Sequence, residues 1–460
     1  MINKDKFKDL DEKFYADRAN VIAQSAVTRN GITEAAIDPD VIKDMRHSFS
    51  IELKQGEITD QKQSGRCWMF SALNTMRYRI IKDYNLETFE LSQAYPLFFD
   101  KLEKSNYFLE SIIKTVDEDL QGRLVKYILD DPLGDGGQWD MFVNLVNKYG
   151  VVPKYAMPEV KSSSATREMD AYLTKMLRSF AKDLRNAHKE GKSLEDLEAM
   201  KDGFNEDIYR ALSVVLGTPP KKIDFEARDK DDNYIKETDL TPKEFFDKYV
   251  KMNLDDYISL INGPTEDKPF NETFTVDFLG NVVEGKEVKY LNLPIDELKK
   301  AAIKQLKDGF PVWMGCDVGQ SFIREEGILD TKAFNIKEIF DLDFEMTKEE
   351  RLDYSESLMT HAMVFTGVDL DEDGNPVRWK IENSWGDRAG NKGYLVMSDE
   401  WFDEYMYQIA VDKKYLTEDQ RKAWDKALRG STFRSQVREG NPSKDTVVFQ
   451  NPREVTFTKA

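Results

Sequence analysis

Cysteine and histidine are nearly absent from this chain of 460 residues, which has two cysteines, Cys67 and Cys316, and three histidines, His47, His188 and His361. Two thiols in so long a chain exclude a disulfide framework and fit a reducing compartment. Positive charge is in deficit as well, with 66 Lys and Arg against 85 Asp and Glu and a formal charge of −19. That balance opposes generic attraction to a phosphate backbone. No run of five or more basic residues supplies a local exception, so nucleic acid is a poor candidate partner. Long apolar runs are missing too. No window reaches the roughly 18 apolar residues needed to span a bilayer, and the start, Met1 to Lys6, lacks the apolar core of a signal peptide. The expectation is a cytoplasmic chain with no membrane partner, long enough for two or three domains or lobes.

What is present is concentrated in Gln61-Lys62-Gln63-Ser64-Gly65-Arg66-Cys67-Trp68-Met69-Phe70-Ser71, which sets one thiol at the start of an amphipathic helix. The free N–H groups of a first helical turn and the positive end of its dipole favour an anion, so a thiol placed there is expected to ionise more easily. Met69, Phe70, Leu73, Met76, Ile80 and Ile81 recur at helical spacing, with Arg77, Arg79 and Lys82 toward the far end. The pattern predicts a core face and a solvated face.

Along the chain, residues 1–45 read as an N-terminal arm with some helix, and 46–160 as a mainly helical lobe. That lobe holds the Cys67 helix, a helical run from Leu91 to Val116 interrupted at Pro96, and Gly134-Asp135-Gly136-Gly137 opening a helix from Gln138 to Tyr149. Residues 161–277 are highly charged and read as an inserted helical segment. It has helices at Ala171 to Lys189 and Leu194 to Phe204, then a hairpin of Lys222 to Ala227 with Tyr234 to Glu237. The capping box Thr241-Pro242-Lys243-Glu244 starts a helix to about Val250. Residues 278–439 mix the helix Ile295 to Lys307 with strands at Pro311 to Val318, His361 to Asp369, Val377 to Glu382 and Gly393 to Met397. The last 21 residues, 440–460, have no helix period and read as an extended arm. Short strands after a helical half indicate an α+β protein.

A thiolate nucleophile needs a base, a group to orient that base, and donors for the oxyanion. His188 lies among Arg185, Lys189 and Glu190, a solvated setting, and His47 has no evident companion. His361 opens a run of strand composition, where an imidazole faces a cleft. About twenty residues on comes Glu382-Asn383-Ser384-Trp385-Gly386, whose Asn would accept the imidazole N–H while Trp385 shields that bond from water. Taken singly, a lone Cys reads as a small buried hydrophobe, a lone His as a satisfied residue, and Asn-Ser-Trp-Gly as a turn. The combination carries the inference. Cys316, inside an apolar strand, reads as a structural thiol.

Together these segments resemble the papain superfamily of cysteine peptidases, whose cysteine signature they share. More narrowly, Leu91-Ser92-Gln93-Ala94-Tyr95, Lys104-Ser105-Asn106-Tyr107-Phe108, Pro311 to Gly319 and Glu356 to Met363 resemble the aminopeptidase C and bleomycin hydrolase family over roughly residues 45–440. The resemblance implies a two-lobed core, one lobe helical and the other β-barrel-like. It makes Cys67 the nucleophile, His361 the general base and acid, Asn383 the orienting residue and Gln61 an oxyanion donor, with Trp385 and Trp68 in support. Gly136 and Gly137 match the pair whose backbone binds an extended substrate. The papain pattern spaces His about 130–150 residues after Cys, whereas His361 lies 294 residues on. About 150 residues are extra, most of them in the charged helical insertion. Secreted papain-like enzymes pair two cysteines where Ser64 and Gly134 stand here.

The family implies peptide substrates, no cofactor or metal, and a homohexameric ring with inward-facing sites. It also implies a C-terminal arm whose last carboxylate, here on Ala460, holds the substrate's amino group. The expected function is an intracellular cysteine aminopeptidase. An endopeptidase with a less obstructed cleft is the alternative, because the arm's approach to Ala460 departs from the family's ending. A nucleic-acid-binding or chaperone-like ring is a third reading, which the acidic balance opposes.

Overall fold

The seventeen residues Cys67–Asp83 form one helix in the computed structural model, which describes residues 2–426. The arm expected at 440–460, with Ala460, lies outside the described residues. No solvated face develops on the Cys67 helix. Every residue from Trp68 to Tyr78 is buried, because the helix runs between a helical layer and a sheet. Arg77, expected at the surface, is 1% exposed, and its guanidinium meets the equally buried Glu382 at 2.5 Å.

The helical side is built from Ala94–Lys114, Trp139–Tyr149, Arg167–Lys189 and Leu194–Leu216, the last extending well beyond the Phe204 end expected for it. Pro96 does not interrupt the first of these. It sits in the opening turn, where a backbone N–H has no intrahelical acceptor and the missing donor costs nothing. Leu177, Leu184, Leu212 and Phe225 join Trp68, Phe98 and Phe142 in one continuous apolar core, so the charged segment buries its own apolar stripe against the Cys67 side. The Thr241 capping box forms with Pro242 in the first turn, and the helix runs to Val250 by widening after Phe245.

Thirteen strands are described: β1 Ile51–Glu52, β2 Ile223–Arg228, β3 Tyr234–Leu240, β4 Tyr257–Ile261, β5 Glu272–Phe274, β6 Tyr290–Asn292, β7 Val312–Cys316, β8 Phe322–Ile323, β9 Ile328–Leu329, β10 His361–Leu370, β11 Pro376–Glu382, β12 Tyr394–Ser398 and β13 Met406–Asp412. β2 and β3 form the expected hairpin. The other eleven make one sheet in the order β5-β6-β4-β13-β7-β10-β11-β12-β9-β8, with β1 also on β10. The sheet is an open path and closes no barrel, so "barrel-like" overstates its closure. Its central strands β7 and β10 are buried on both faces because the Cys67 helix packs on one side and Ile295–Lys307 and Asp399–Tyr405 on the other, whereas β11 alternates buried Trp379 and Ile381 with partly exposed Arg378 and Lys380. β10 starts at His361, opposite Cys316 of β7, and β11 ends one residue before Asn383.

Replacing Arg77 with Met leaves Glu382 as an uncompensated buried charge. Urea unfolding of that variant is expected to show a loss of about 3–5 kcal/mol, and Arg77→Met combined with Glu382→Leu is expected to recover much of it.

Candidate active site

The helix start, the mouth of β10 and the Gly134–Gly137 loop converge on a cleft of about 1010 Å³ lined by Gln61, Cys67, Trp68, Gly136, Gly137, His361 and Trp385. Asn383 stands behind His361. His361 Nε2 lies 2.9 Å from Asn383 Oδ1. The Ser384 N–H also donates to that Oδ1 at 2.8 Å, which fixes the atom as an oxygen. An oxygen only accepts, so the imidazole proton sits on Nε2 and Nδ1 keeps its lone pair. The Trp385 ring covers the pair, its centroid 4.6 Å from that of His361.

The thiol is partly exposed to the cleft. Its expected acidity does not appear in the resting site. Burial pushes Cys67 up to about 11, although the N–H groups of Ala362, Trp68 and Cys67 itself pull the other way. Burial likewise lowers His361 to about 4, with the Asn383 bond opposing and Arg324 adding to the fall. Each charge alone is disfavoured in this enclosure. A proton moved from Sγ to imidazole creates both at once, and their attraction offsets the two desolvation costs.

Gln61 is held on every polar atom save one amide hydrogen. Its Oε1 accepts from Ser384 Oγ at 2.7 Å, its Nε2 donates to Ser64 O at 2.6 Å, and its backbone N–H donates to Ser384 O at 2.8 Å. The side-chain amide therefore cannot turn its oxygen toward the cleft. Ser384 thus orients both Gln61 and Asn383, a part that the sequence signalled only as a turn residue.

The glycine loop is gripped from beneath. Asp135 accepts from the Gly65 N–H at 2.7 Å, from Lys101 Nζ at 2.7 Å and from Thr166 Oγ1 at 2.5 Å, while its carbonyl accepts from Trp68 Nε1 at 2.7 Å. Lys104 Nζ donates to Gly134 O at 2.8 Å and Gly136 O at 2.6 Å. Burial opposes the charge on Asp135, yet Lys101 holds its carboxyl well below the usual range. Asp170, also within 2.8 Å of Lys101, is pushed up to about 7 by burial and by Asp135. A side chain on Gly137 would place Cβ 2.7 Å from the Trp68 ring, so packing requires that glycine and leaves bare backbone at the cleft. Ser64 and Gly134 carry no thiols, and the two loops are joined by this ionic network. Lys101 and Lys104, one turn apart on a helix that also carries Asp100 and Glu103, gave no local sign of this part. Arg66, a motif residue without an assigned part, forks onto Glu159 at 2.9 and 3.0 Å and fixes the loop before Cys67.

Of the other histidines, His188 pairs with Asp117 at 2.7 Å on the surface, and His47 packs edge-on to Phe49; neither lines this cleft. Cys316 is buried. Among the described residues no group of three His, Cys, Asp or Glu is placed to hold a metal ion, and no helix is long and apolar enough to cross a membrane.

A helical half facing an open sheet, with thiol, imidazole and carboxamide at the seam, defines the papain-like class of fold. The model of the Peptidase C1-like family matches residues 1–430. The chain belongs to that family. It is 51% identical over 421 residues to aminopeptidase C of Streptococcus thermophilus, covering 91% of this chain and 95% of that one. It is 42% identical over 427 residues to bleomycin hydrolase of Rattus norvegicus, covering 91% and 94%. The crystal structure of PepW from Lactobacillus rhamnosis superposes with a TM-score of 0.91 at 50% identity, covering 93% of this chain and 97% of that one.

Two outcomes test the geometry. In a Cys67→Ala variant His361 has no thiolate to pair with, and ring-proton NMR should show it titrating near about 4, below the ordinary 6.5. Because the folded value lies under the unfolded one, the stability that neutral His361 contributes is present above pH 6.5 and is lost as pH falls toward 4. Replacing Ser384 with Ala frees the Gln61 amide, and kcat/KM should fall about tenfold or more while Cys67 alkylation by iodoacetamide holds its rate.

Proposed function

We propose that this chain is a cysteine aminopeptidase acting on peptides through Cys67. The observation that carries the reading is the His361–Asn383 pair, its tautomer fixed, at the same cleft as a thiol that starts a helix. The likeness to proteins named aminopeptidase C over nine-tenths of the chain supports the choice of substrate end.

The geometry performs the reaction as follows. His361 Nδ1 takes the Cys67 proton as the thiolate attacks the scissile carbonyl, and the resulting imidazolium is steadied by Asn383 Oδ1. The developing oxyanion takes one hydrogen bond from the Cys67 N–H and one from the free hydrogen of the pinned Gln61 amide. His361 then gives its proton to the leaving amine. Water, activated by the same Nδ1, cleaves the thioester and restores the thiol. Gly136 and Gly137 offer bare backbone to an extended substrate.

The rest of the reading concerns where the enzyme works. We assign it to the cytoplasm as a homohexamer, with residues 161–277 and the N-terminal helices as contact surfaces between copies. The helices Lys4–Ala16 and Arg18–Asn30 bury no side chain and expose Phe7, Leu10, Tyr15 and Ile22, which supports that assembly. The carboxylate of Ala460 is the proposed counter-charge for the substrate's ammonium.

Cys67→Ala should abolish hydrolysis of aminoacyl coumarin amides, and undiminished turnover would refute the nucleophile. A free amino terminus should be required: an N-acetylated peptide hydrolysed at the rate of its free counterpart identifies an endopeptidase instead. Light scattering reads the oligomer directly.

A further inference from the structure

Arg324, beside the cleft, makes no ion pair among the described residues. It lies exposed in the tight turn between β8 and β9. Glu325 and Glu326 follow it on the same turn and do not pair with it. In a chain with 85 acidic residues, an unclaimed guanidinium beside a cleft calls for an explanation. Its position is held firmly. The Gly390 N–H donates to Glu325 O at 3.0 Å and the Val396 N–H to Gly327 O at 2.9 Å, which fix the turn against the loop that follows Asn383 and against β12. The guanidinium carbon lies 4.8 Å from the Trp385 ring centroid and 5.5 Å from that of Phe322, so the fork rests on an aromatic shelf with its donors free.

Trp385 is also the ring that covers His361, and the field of Arg324 is felt at that imidazole. His361 delivers its proton to the leaving amine, so the departing half of a substrate extends past the imidazole toward this shelf. Each extended residue spans about 3.3–3.6 Å. A carboxylate one or two residues beyond the cleaved bond therefore comes within reach of the Arg324 fork, and a planar guanidinium binds a carboxylate through two parallel hydrogen bonds. The overall charge of −19 and the neighbouring Glu325 and Glu326 repel such a group at long range, so the attraction rests on direct contact with the guanidinium.

We propose that Arg324 receives the C-terminal carboxylate of short peptides on the leaving-group side of the cleft, which makes dipeptides and tripeptides preferred substrates. The inference rests on the peptidase reading above and deepens it from the opposite end of the substrate.

The test compares Leu-Gly and Leu-Gly-Gly with the same peptides carrying a C-terminal amide, in the wild type and in Arg324→Met and Arg324→Lys, each as the full chain. The readout is the acid-to-amide ratio of kcat/KM within each variant, which divides out any general effect of Arg324 on His361. A charge-assisted hydrogen bond predicts a wild-type ratio of about 10 or more for at least one peptide length. The ratio should collapse toward one in Arg324→Met, keep an intermediate value in Arg324→Lys, and shrink with added salt. A wild-type ratio of one, or a ratio unchanged in Arg324→Met, overturns the proposal. If peptides with free and acetylated amino termini are cut alike, the aminopeptidase reading fails independently of this ratio.

Discussion

The buried contact between Lys101 and Asp135 is the constraint on which the cleft depends. Asp135 reaches the loop before Cys67 through the Gly65 N–H, the helix Arg167–Lys189 through Thr166, and the Cys67 helix through its carbonyl and Trp68. One carboxylate thus sets the spacing between the thiol and the glycine backbone across the cleft. The ammonium of Lys101 makes that concentration of negative charge tolerable, since burial would otherwise drive Asp135 to its neutral form. A covalent bridge would fix the same two loops without electrostatics. An ionic network does so in a chain whose two thiols are committed elsewhere.

The seam between the halves is secured by a second set of contacts, all from the Cys67 helix to the sheet. Ser71 Oγ donates to Ala362 O at 2.9 Å, Trp313 Nε1 donates to Trp68 O at 3.0 Å, and Arg77 meets Glu382. Ala362 follows His361, Trp68 follows Cys67 and Glu382 precedes Asn383, so each bond registers a candidate site residue through its immediate neighbour. Rigid elements hold the groups, and no long loop intervenes between helix, strand mouth and strand end.

Much of this was legible in the residues, and the failures share a cause. Helix limits such as Ile295–Lys307, the β2–β3 hairpin and the Thr241 cap follow from local periodicity and turn chemistry, and the structure agrees with them. Cys67, His361, Asn383 and Gln61 stood out because their residue types are scarce or fall in a motif. Arg77 was misread because a charged residue late in a helix looks solvated until its partner, 305 residues away, is known. At Cys67 the helix-start donors are a local feature visible in the sequence, whereas the burial that opposes them is a tertiary one. Asp135 and Ser384 escaped notice because a single Asp among glycines and a single Ser in a turn have ordinary local explanations. Their parts are set by contacts that no short window of sequence contains.

The pairing of β1 and the Cys67 helix with β10 also has a meaning for biosynthesis. Chains emerge amino terminus first at about 5–20 residues per second, so His361 follows Cys67 out of the ribosome by about 15–60 s. Throughout that interval β1 has no partner strand, the Cys67 helix lacks the strand it packs on most, and Cys67 has no His361 beside it. The chemistry is split across 294 residues of sequence and is assembled only when the final strands arrive. On the proposed mechanism, a growing chain therefore carries no assembled centre with which to cut itself or its neighbours on the same message.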